Sequence, residues 1–394
     1  MRSATLSPRE FIMRQVLASL SNKRLFTLLS LLVMSVLLSA CQADCDCNNP
    51  ASSGGAGSEV SNKVINLRLA HGWPKGYPIF AESVDDYAKL VEQMSNGRIK
   101  IRVDSASKHK SAFGIFDFVK SGQYDIGQTA SYYYGGKDPD ALFFSSMPFS
   151  MTTEEQTAWF YEGGGLELAN ELYAKHNMEV TLGGNTGMQM GGWFRNEIYT
   201  LDDLAGLKMR IPGFGGKVMA GVGVVPTNIP TGELYQALER GTIDALEWVA
   251  PGLDLRMGFH KVAPYYYTGW HEPGTELIYV FNKDSMAKLP EWATAILKNA
   301  AKLTAYSMTT STFAANADNM QVMTEQFPNV QVRQFPPQVM NALRASNDSL
   351  IEAEVARSEF AKRVIESRAA YLKKARAWTE VGVKAYLDSM LEAQ

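Results

Sequence analysis

Val64-Ile65-Asn66-Leu67-Arg68-Leu69 alternates apolar and polar side chains with a period of two, the pattern of a β-strand. The residues immediately after it fix the fold class. Ile79 to Met94 carries apolar residues at helical spacing and stops at Asn96-Gly97, residue types that tolerate the left-handed conformation of a helix end. Arg98 to Val103 alternates again, Phe113 to Lys120 reads as a helix, and Tyr124-Asp125-Ile126-Gly127 opens another strand. Strand, helix, strand, helix in this order predicts a mostly parallel sheet covered by helices.

Beyond this unit the alternation continues. A helix from Glu154 to His176 leads into a strand at Glu179-Val180-Thr181-Leu182. A second α/β region has strands at Leu207–Ile211 and Ile243–Trp248, with helices near Gly216–Val222 and Gly232–Arg240. Glu276 to Asn282 reads as a long apolar strand at a crossover between domains. From Pro290 the chain is mainly helical, apart from a strand at Val330-Gln331-Val332, and Pro337 to Leu391 should form long helices. A body of about 330 residues exceeds one comfortable core. The expected fold is therefore α/β with two domains, residues 63–187 plus about 276–315 and residues 188–275 plus about 316–394.

The first 40 residues read as a secretory signal. Lys23-Arg24 precedes an apolar run from Leu25 to Ala40, shorter than the roughly 20 residues a membrane-spanning helix needs. Leu38-Ser39-Ala40-Cys41 resembles a bacterial lipobox, which implies cleavage before Cys41 and acylation of its thiol. Residues 41–62 hold little to bury and read as a flexible tether, including Ser52-Ser53-Gly54-Gly55-Ala56-Gly57. Cys45 and Cys47 lie in the same tether, so the folded body carries no cysteine. The expected location is periplasmic, with a lipid anchor as the sole membrane attachment.

Charge excludes one class of partner. The leader holds Arg2, Arg9, Arg14, Lys23, Arg24 and Glu10, so the remainder carries 33 basic and 40 acidic residues, a net charge of −7. Nucleic acid is recognised by basic surfaces, so it is not expected as a ligand. Geometry favours another class. Ligands of open α/β sheets bind outside the carboxyl ends of the strands, and two such sheets facing each other form a cleft that closes by hinge motion. An exported chain of two α/β domains is thus expected to have a solute-binding protein fold, with the ligand cleft between domains.

Four stretches carry a resemblance. They are Gly187-Met188-Gln189-Met190-Gly191-Gly192-Trp193-Phe194-Arg195, Asp203 through Pro212, Gly241 through Trp248, and Gly269-Trp270-His271-Glu272-Pro273-Gly274. Tyr132-Tyr133-Tyr134-Gly135-Gly136-Lys137 and Met147-Pro148-Phe149 belong to the same pattern. Together they resemble the substrate-binding subunit of a tripartite ATP-independent periplasmic (TRAP) transporter, in the DctP-like branch that binds 2-oxo acids or lactate with a metal ion. The resemblance implies a receptor that delivers a small monocarboxylate such as pyruvate to TRAP membrane subunits. It also implies a homodimer formed through the long C-terminal helix. Pro251-Gly252-Leu253-Asp254 departs from the pattern, which has an aromatic after the proline.

Arg210 is the leading candidate for the carboxylate anchor. Lys208 and Arg210 share the strand face opposite Leu207, Met209 and Ile211, and Pro212 ends the strand, so Arg210 sits at its carboxyl end. A guanidinium holds a carboxylate with two parallel charge-assisted bonds, and the family motif implies the same role. Arg195 competes, but Glu197 is close by and a structural pair is expected there. The resemblance places Gln189, Glu247, Glu272 and the backbone carbonyl of Trp248 around a metal ion. Oxygen donors of this kind suit a hard cation, sodium or calcium foremost. Two glutamates, one arginine and a monocarboxylate sum to a charge that either ion offsets at least in part. Tyr133, Tyr134, Phe214, Trp248 and Trp270 are candidates to shape the pocket and exclude water. His271 adjoins Glu272, but the oxygen-rich company argues against its being a ligand.

No catalytic residue is expected. An exported metal-dependent hydrolase is the rival class, yet the chain has no His-Glu-x-x-His stretch, nucleophile elbow or phosphate-cradling loop. A binding protein that feeds a sensor is a second alternative.

Overall fold

The computed structural model describes residues 63–391. The signal, the lipobox Cys41 and the tether all lie outside the described residues. Eleven strands follow in chain order. β1 (Ile65–His71), β2 (Ile99–Ser105), β3 (Ile126–Ala130) and β4 (Met178–Asn185) come first. β5 (Gly192–Phe194), β6 (Lys208–Arg210), β7 (Val225–Thr227), β8 (Ala245–Leu246) and β9 (Tyr265–Tyr267) are shorter. β10 (Glu276–Asn282) and β11 (Gln331–Arg333) complete the set. Among the described residues they form a five-stranded sheet, ordered β2-β1-β3-β10-β4, and a six-stranded sheet, ordered β11-β9-β5-β8-β6-β7.

The opening unit folds as its pattern dictates. β1 pairs in parallel with β2 and β3. The helix Phe80–Met94 covers them with Phe80, Val84, Tyr87 and Val91, one buried stripe at helical spacing. The expectation of a mostly parallel sheet fails at the other edge. β10 runs antiparallel to both β3 and β4, because it enters from the second sheet rather than through a covering helix. The expected helix from Glu154 to His176 is two helices, Thr153–Glu162 and Gly165–Ala174, separated where Gly164 takes φ +82°. That left-handed residue costs glycine nothing and turns the chain. The expected strand Ile243–Trp248 shrinks to β8, and Glu247 and Trp248 lie beyond its end.

Three segments carry the chain between the sheets. Residues 186–191 connect β4 to β5, residues 268–275 connect β9 to β10, and the helix Glu291–Gln326 leads from the first sheet towards β11. That helix packs on β4, on the helix Phe80–Met94 and on the helix Pro251–Met257. Its buried face, including Ala293, Leu297, Ala300, Ala301, Thr304 and Ala305, is mostly small, which permits close approach. The two short crossings also touch: Thr186 donates to the Thr275 carbonyl at 3.0 Å and Gln189 to the Glu272 carbonyl at 3.0 Å. A Cβ on Gly269 would collide with the Gln189 carbonyl, so glycine is required for that approach.

The tail, expected to lie with the second domain, divides its contacts. Pro337–Arg357 packs on the second-sheet helix Gly213–Gly221, with Ser346 Oγ donating to the Val218 carbonyl. Glu359–Thr379 instead packs on the first-sheet helices Thr153–Glu162 and Gly165–Ala174, where Arg376 pairs with Glu155 and Arg363 with Glu171.

Candidate functional site

The ends of β6 and β8 meet the two short crossings, and the site is built there. Arg210 closes β6 and is 1% exposed. Its Nη1 donates to the Glu247 carbonyl at 2.6 Å and to Glu247 Oε2 at 3.0 Å. Its Nε has no hydrogen-bond partner among the described residues, and neither has Glu247 Oε1. Glu272 and Gln189 arrive from the crossings. Glu272 Oε2 accepts from the Thr275 hydroxyl. Gln189 Nε2 donates to Thr186 at 2.9 Å, while its Oε1 is buried without a partner among the described residues. One ligand-capable atom each from Glu247, His271 and Glu272 lies within 4.8 Å of the others.

Burial dominates the electrostatics. Together with nearby Glu247, it pushes the Glu272 carboxyl up to about 7. Burial also raises Glu247, against the pull of Arg210. Burial lowers the His271 ring to about 4, so it is neutral. Two neighbouring buried carboxyls that resist ionisation, with Gln189 held by its backbone amide to Glu272 and its side-chain oxygen unpaired, are groups that a cation would satisfy. The fit to a hard cation and a carboxylate is thus good. Glu247 Oε1, Gln189 Oε1 and Glu272 can hold the ion, and Arg210 retains donors for the acid.

The other expected residues divide. Trp248, nearly buried, reaches from the second-sheet side into an aromatic group on the first. Its Nε1 donates to the Tyr77 hydroxyl at 2.8 Å, and its ring lies 6.4 Å from Phe80 and under the Arg210 guanidinium at 5.1 Å. Tyr133 and its neighbour Tyr132 come from the turn after β3 and face the same charges: burial raises both phenols, and Arg210, Glu247 and Glu272 act on each. Tyr134 is not with them. It is buried in the first-sheet core against Phe116, 4.9 Å between centroids. Phe214 packs on Phe143 at 5.1 Å in the first-sheet cluster, and Trp270 on Phe149 at 5.5 Å in the second-sheet cluster. The expected Arg195–Glu197 pair does not form: Arg195 donates to the Leu238 carbonyl, and Glu197 pairs with Arg333 instead.

Tyr77, Tyr132 and Asp254 were not singled out from sequence. Asp254 accepts from Trp193 Nε1, the Val249 amide and the Tyr266 hydroxyl, at 3.0, 3.0 and 2.8 Å, and so fixes the loop that carries Glu247 and Trp248. It lies two residues after Gly252, where the chain departs from the family pattern.

Comparison with known proteins agrees with this architecture. Residues 69–358 match the family DctP, described as bacterial extracellular solute-binding protein, family 7. A monocarboxylate 2-oxoacid-binding periplasmic protein of Nostoc sp. is 37% identical over 325 residues, covering 82% of this chain and 88% of that protein. A TRAP periplasmic solute-binding protein from Pseudoalteromonas atlantica, solved with bound sodium and pyruvate, is 53% identical with a TM-score of 0.82, covering 83% of this chain and 99% of that one. A counterpart from Colwellia psychrerythraea, solved with calcium and pyruvate, is 52% identical with a TM-score of 0.82, covering 83% and 100%. The chain belongs to the DctP family of TRAP periplasmic solute-binding proteins, whose members are solute receptors of transporters rather than enzymes.

Proposed function

We propose that this receptor binds a small monocarboxylate, a 2-oxo acid such as pyruvate or else lactate, through Arg210 and a metal ion, and delivers it to TRAP membrane subunits. The observation that carries the reading is Arg210 itself: an arginine 1% exposed, at a strand's carboxyl end, with an unpaired Nε beside two buried glutamates. The ion, sodium or calcium, would be held by Gln189, Glu247, Glu272 and the Trp248 carbonyl. It would supply positive charge opposite the guanidinium, so a 2-oxo or 2-hydroxy acid could use both its carboxylate and its 2-oxygen. The two structural relatives that hold pyruvate with one or other of these ions support the choice.

Closure follows from burial. Arg210, Glu247, His271 and Glu272 are all 2% exposed or less, so an acid can enter only when the sheets part. The two short crossings and the long helix Glu291–Gln326 are the connections that would flex. Residues 63–187 and 188–275 would be the cores of the two moving bodies. The test is calorimetry of pyruvate and lactate binding in chelator and low sodium, then with one cation restored. Without an ion, two glutamates face an incoming anion and affinity should fall strongly; the acid must in turn raise cation affinity by the same factor. Binding indifferent to chelator and sodium would leave Arg210 as sole anchor and remove the ion from the reading.

Two further features extend this reading. The lipobox at Cys41 supports a lipid-anchored periplasmic protein. A groove of about 690 Å³, lined by Met188, Phe313, Trp378 and Val383 among others, supports a homodimer. The adjoining helix Ala385–Leu391 buries none of its residues and exposes Tyr386, Leu387 and Leu391, an apolar surface that a second copy would cover.

A further inference from the structure

We propose that Asp140, Arg357, Glu354 and Lys217 form an ionic clasp between the two bodies, outside the ligand site, that holds the receptor closed and so sets how long the acid stays bound. The inference rests on the closing cleft of the proposed function and adds a second determinant of its affinity.

The four residues come from three elements. Asp140 lies on the 3₁₀ helix Pro139–Phe144, which packs on the first-sheet helix Gly165–Ala174 and on Glu359–Thr379. Lys217 lies on the second-sheet helix Gly213–Gly221. Glu354 and Arg357 occupy the last turn of Pro337–Arg357, which packs on that second-sheet helix. Lys217 Nζ stands 2.7 Å from Glu354 Oε1, and Arg357 Nε 2.6 Å from Glu354 Oε2. The other end of the Arg357 guanidinium pairs with Asp140. Charges of alternating sign therefore run in an unbroken row from the second-sheet side to the first.

An isolated surface ion pair contributes little, but this row is not of that kind. Glu354 is 4% exposed and Asp140 8%, so each carboxylate depends on its cation rather than on water. Burial works to raise the Glu354 carboxyl, yet Lys217 and Arg357 hold it below its ordinary range. An apolar contact between the bodies lies alongside. Phe143, on the helix of Asp140, packs at 5.1 Å on Phe214, on the helix of Lys217, and the Lys217 ammonium lies 5.4 Å from the Phe214 ring centroid.

The chain also changes sides here. Arg357 ends a helix packed on the second-sheet side, Ser358 is extended, and Glu359–Thr379 packs on first-sheet helices. Opening must therefore break a link of the row wherever the end of Pro337–Arg357 travels. If that end moves with the second sheet, Arg357 leaves Asp140. If it stays with the first, Lys217 leaves Glu354. The closed form gains these contacts, and apparent affinity rises with the closed fraction. The row touches no ligand-binding residue by hydrogen bond or ion pair, so its loss should appear in release of the acid rather than in encounter.

The test uses the full-length protein in saturating cation, with Asp140→Asn and Lys217→Gln as variants that cut the row at either end. Pyruvate binding is followed by stopped-flow fluorescence and calorimetry, beside thermal unfolding. At least one variant should release pyruvate about three- to tenfold faster, with association changed by less than about twofold. That variant identifies the link that parts. Raising ionic strength with choline chloride, sodium and calcium held fixed, should speed release from wild type more than from it, because screening weakens the row only where the row exists. Its ligand-free form should also show a larger radius of gyration by small-angle scattering. A merely structural row would lower the thermal midpoint of both variants and leave release, its salt response and the radius unchanged, and that result overturns the clasp. A wild type that binds neither pyruvate nor lactate removes the proposed function instead. Scattering then decides the clasp alone, a radius unchanged in both variants overturning it.

Discussion

Arg210→Lys probes the carboxylate anchor with the least disturbance to the fold. In the structure one guanidinium nitrogen, Nη1, makes both bonds to Glu247, at 2.6 and 3.0 Å, and Nε is free for the acid. Lysine keeps the charge that compensates Glu247, but its ammonium cannot serve Glu247 and two carboxylate oxygens from one fixed plane. Truncating one partner of a buried charge pair costs about 2–5 kcal/mol. Because the charge is retained, the lower part of that range applies, about 2–3 kcal/mol, or roughly 30- to 160-fold in Kd. Arg210→Ala would be a poorer probe, since it removes the donor to Glu247 Oε2 and leaves buried polar atoms unpaired, at about 1–3 kcal/mol each. The assay is calorimetry of pyruvate binding in saturating cation, beside thermal unfolding of the ligand-free variant. Wild-type affinity in Arg210→Lys would refute the reasoning and remove Arg210 from the binding site.

Stability of the ion-free protein should fall as pH rises from about 5 to about 8. Burial lifts Glu272, Asp254 and Glu276 to about 7 and raises Glu247, so the native chain holds protons that the unfolded chain has released. This contribution is fully present below the ordinary carboxylate range and is lost as pH passes the raised values. Calcium should flatten the trend by favouring ionised Glu247 and Glu272, and a thermal midpoint that rises with pH in chelator would contradict the assignment. Glu276→Gln, away from the proposed ion, should remove part of the slope and leave the calcium effect intact. Cys41→Ser should abolish palmitate labelling and leave an unprocessed precursor, whereas equal labelling of both forms would discard the lipobox. Trp378, 69% exposed beside the apolar groove, should on change to Asp shift sedimentation from dimer to monomer with pyruvate affinity retained; a wild type that sediments as monomer would discard the dimer.

Elements whose signal is local were legible in the sequence alone. The alternation at Ile65–His71, the apolar stripe from Phe80 to Val91 and the stop at Asn96-Gly97 each depend on residues a few positions apart, so one window suffices to read them. Arg210 was legible for the same reason: strand parity set its face and Pro212 set its place at the strand end. Gln189, Glu247 and Glu272 were reachable through motifs that resemblance made recognisable, although nothing local says that three segments so far apart in the chain converge. Packing in three dimensions settled the rest. The three-residue strands β5, β7 and β9 are too short to show a period, and they exist because neighbours complete their hydrogen bonding. Tyr133 faces the charges while Tyr134 enters the core, although the two are adjacent in sequence. His271 is adjacent to Glu272 in sequence, and the bend in its crossing sets the ring against Glu247. Proximity between side chains is a property of crossings and packing, and a one-dimensional pattern carries it only where the chain stays regular.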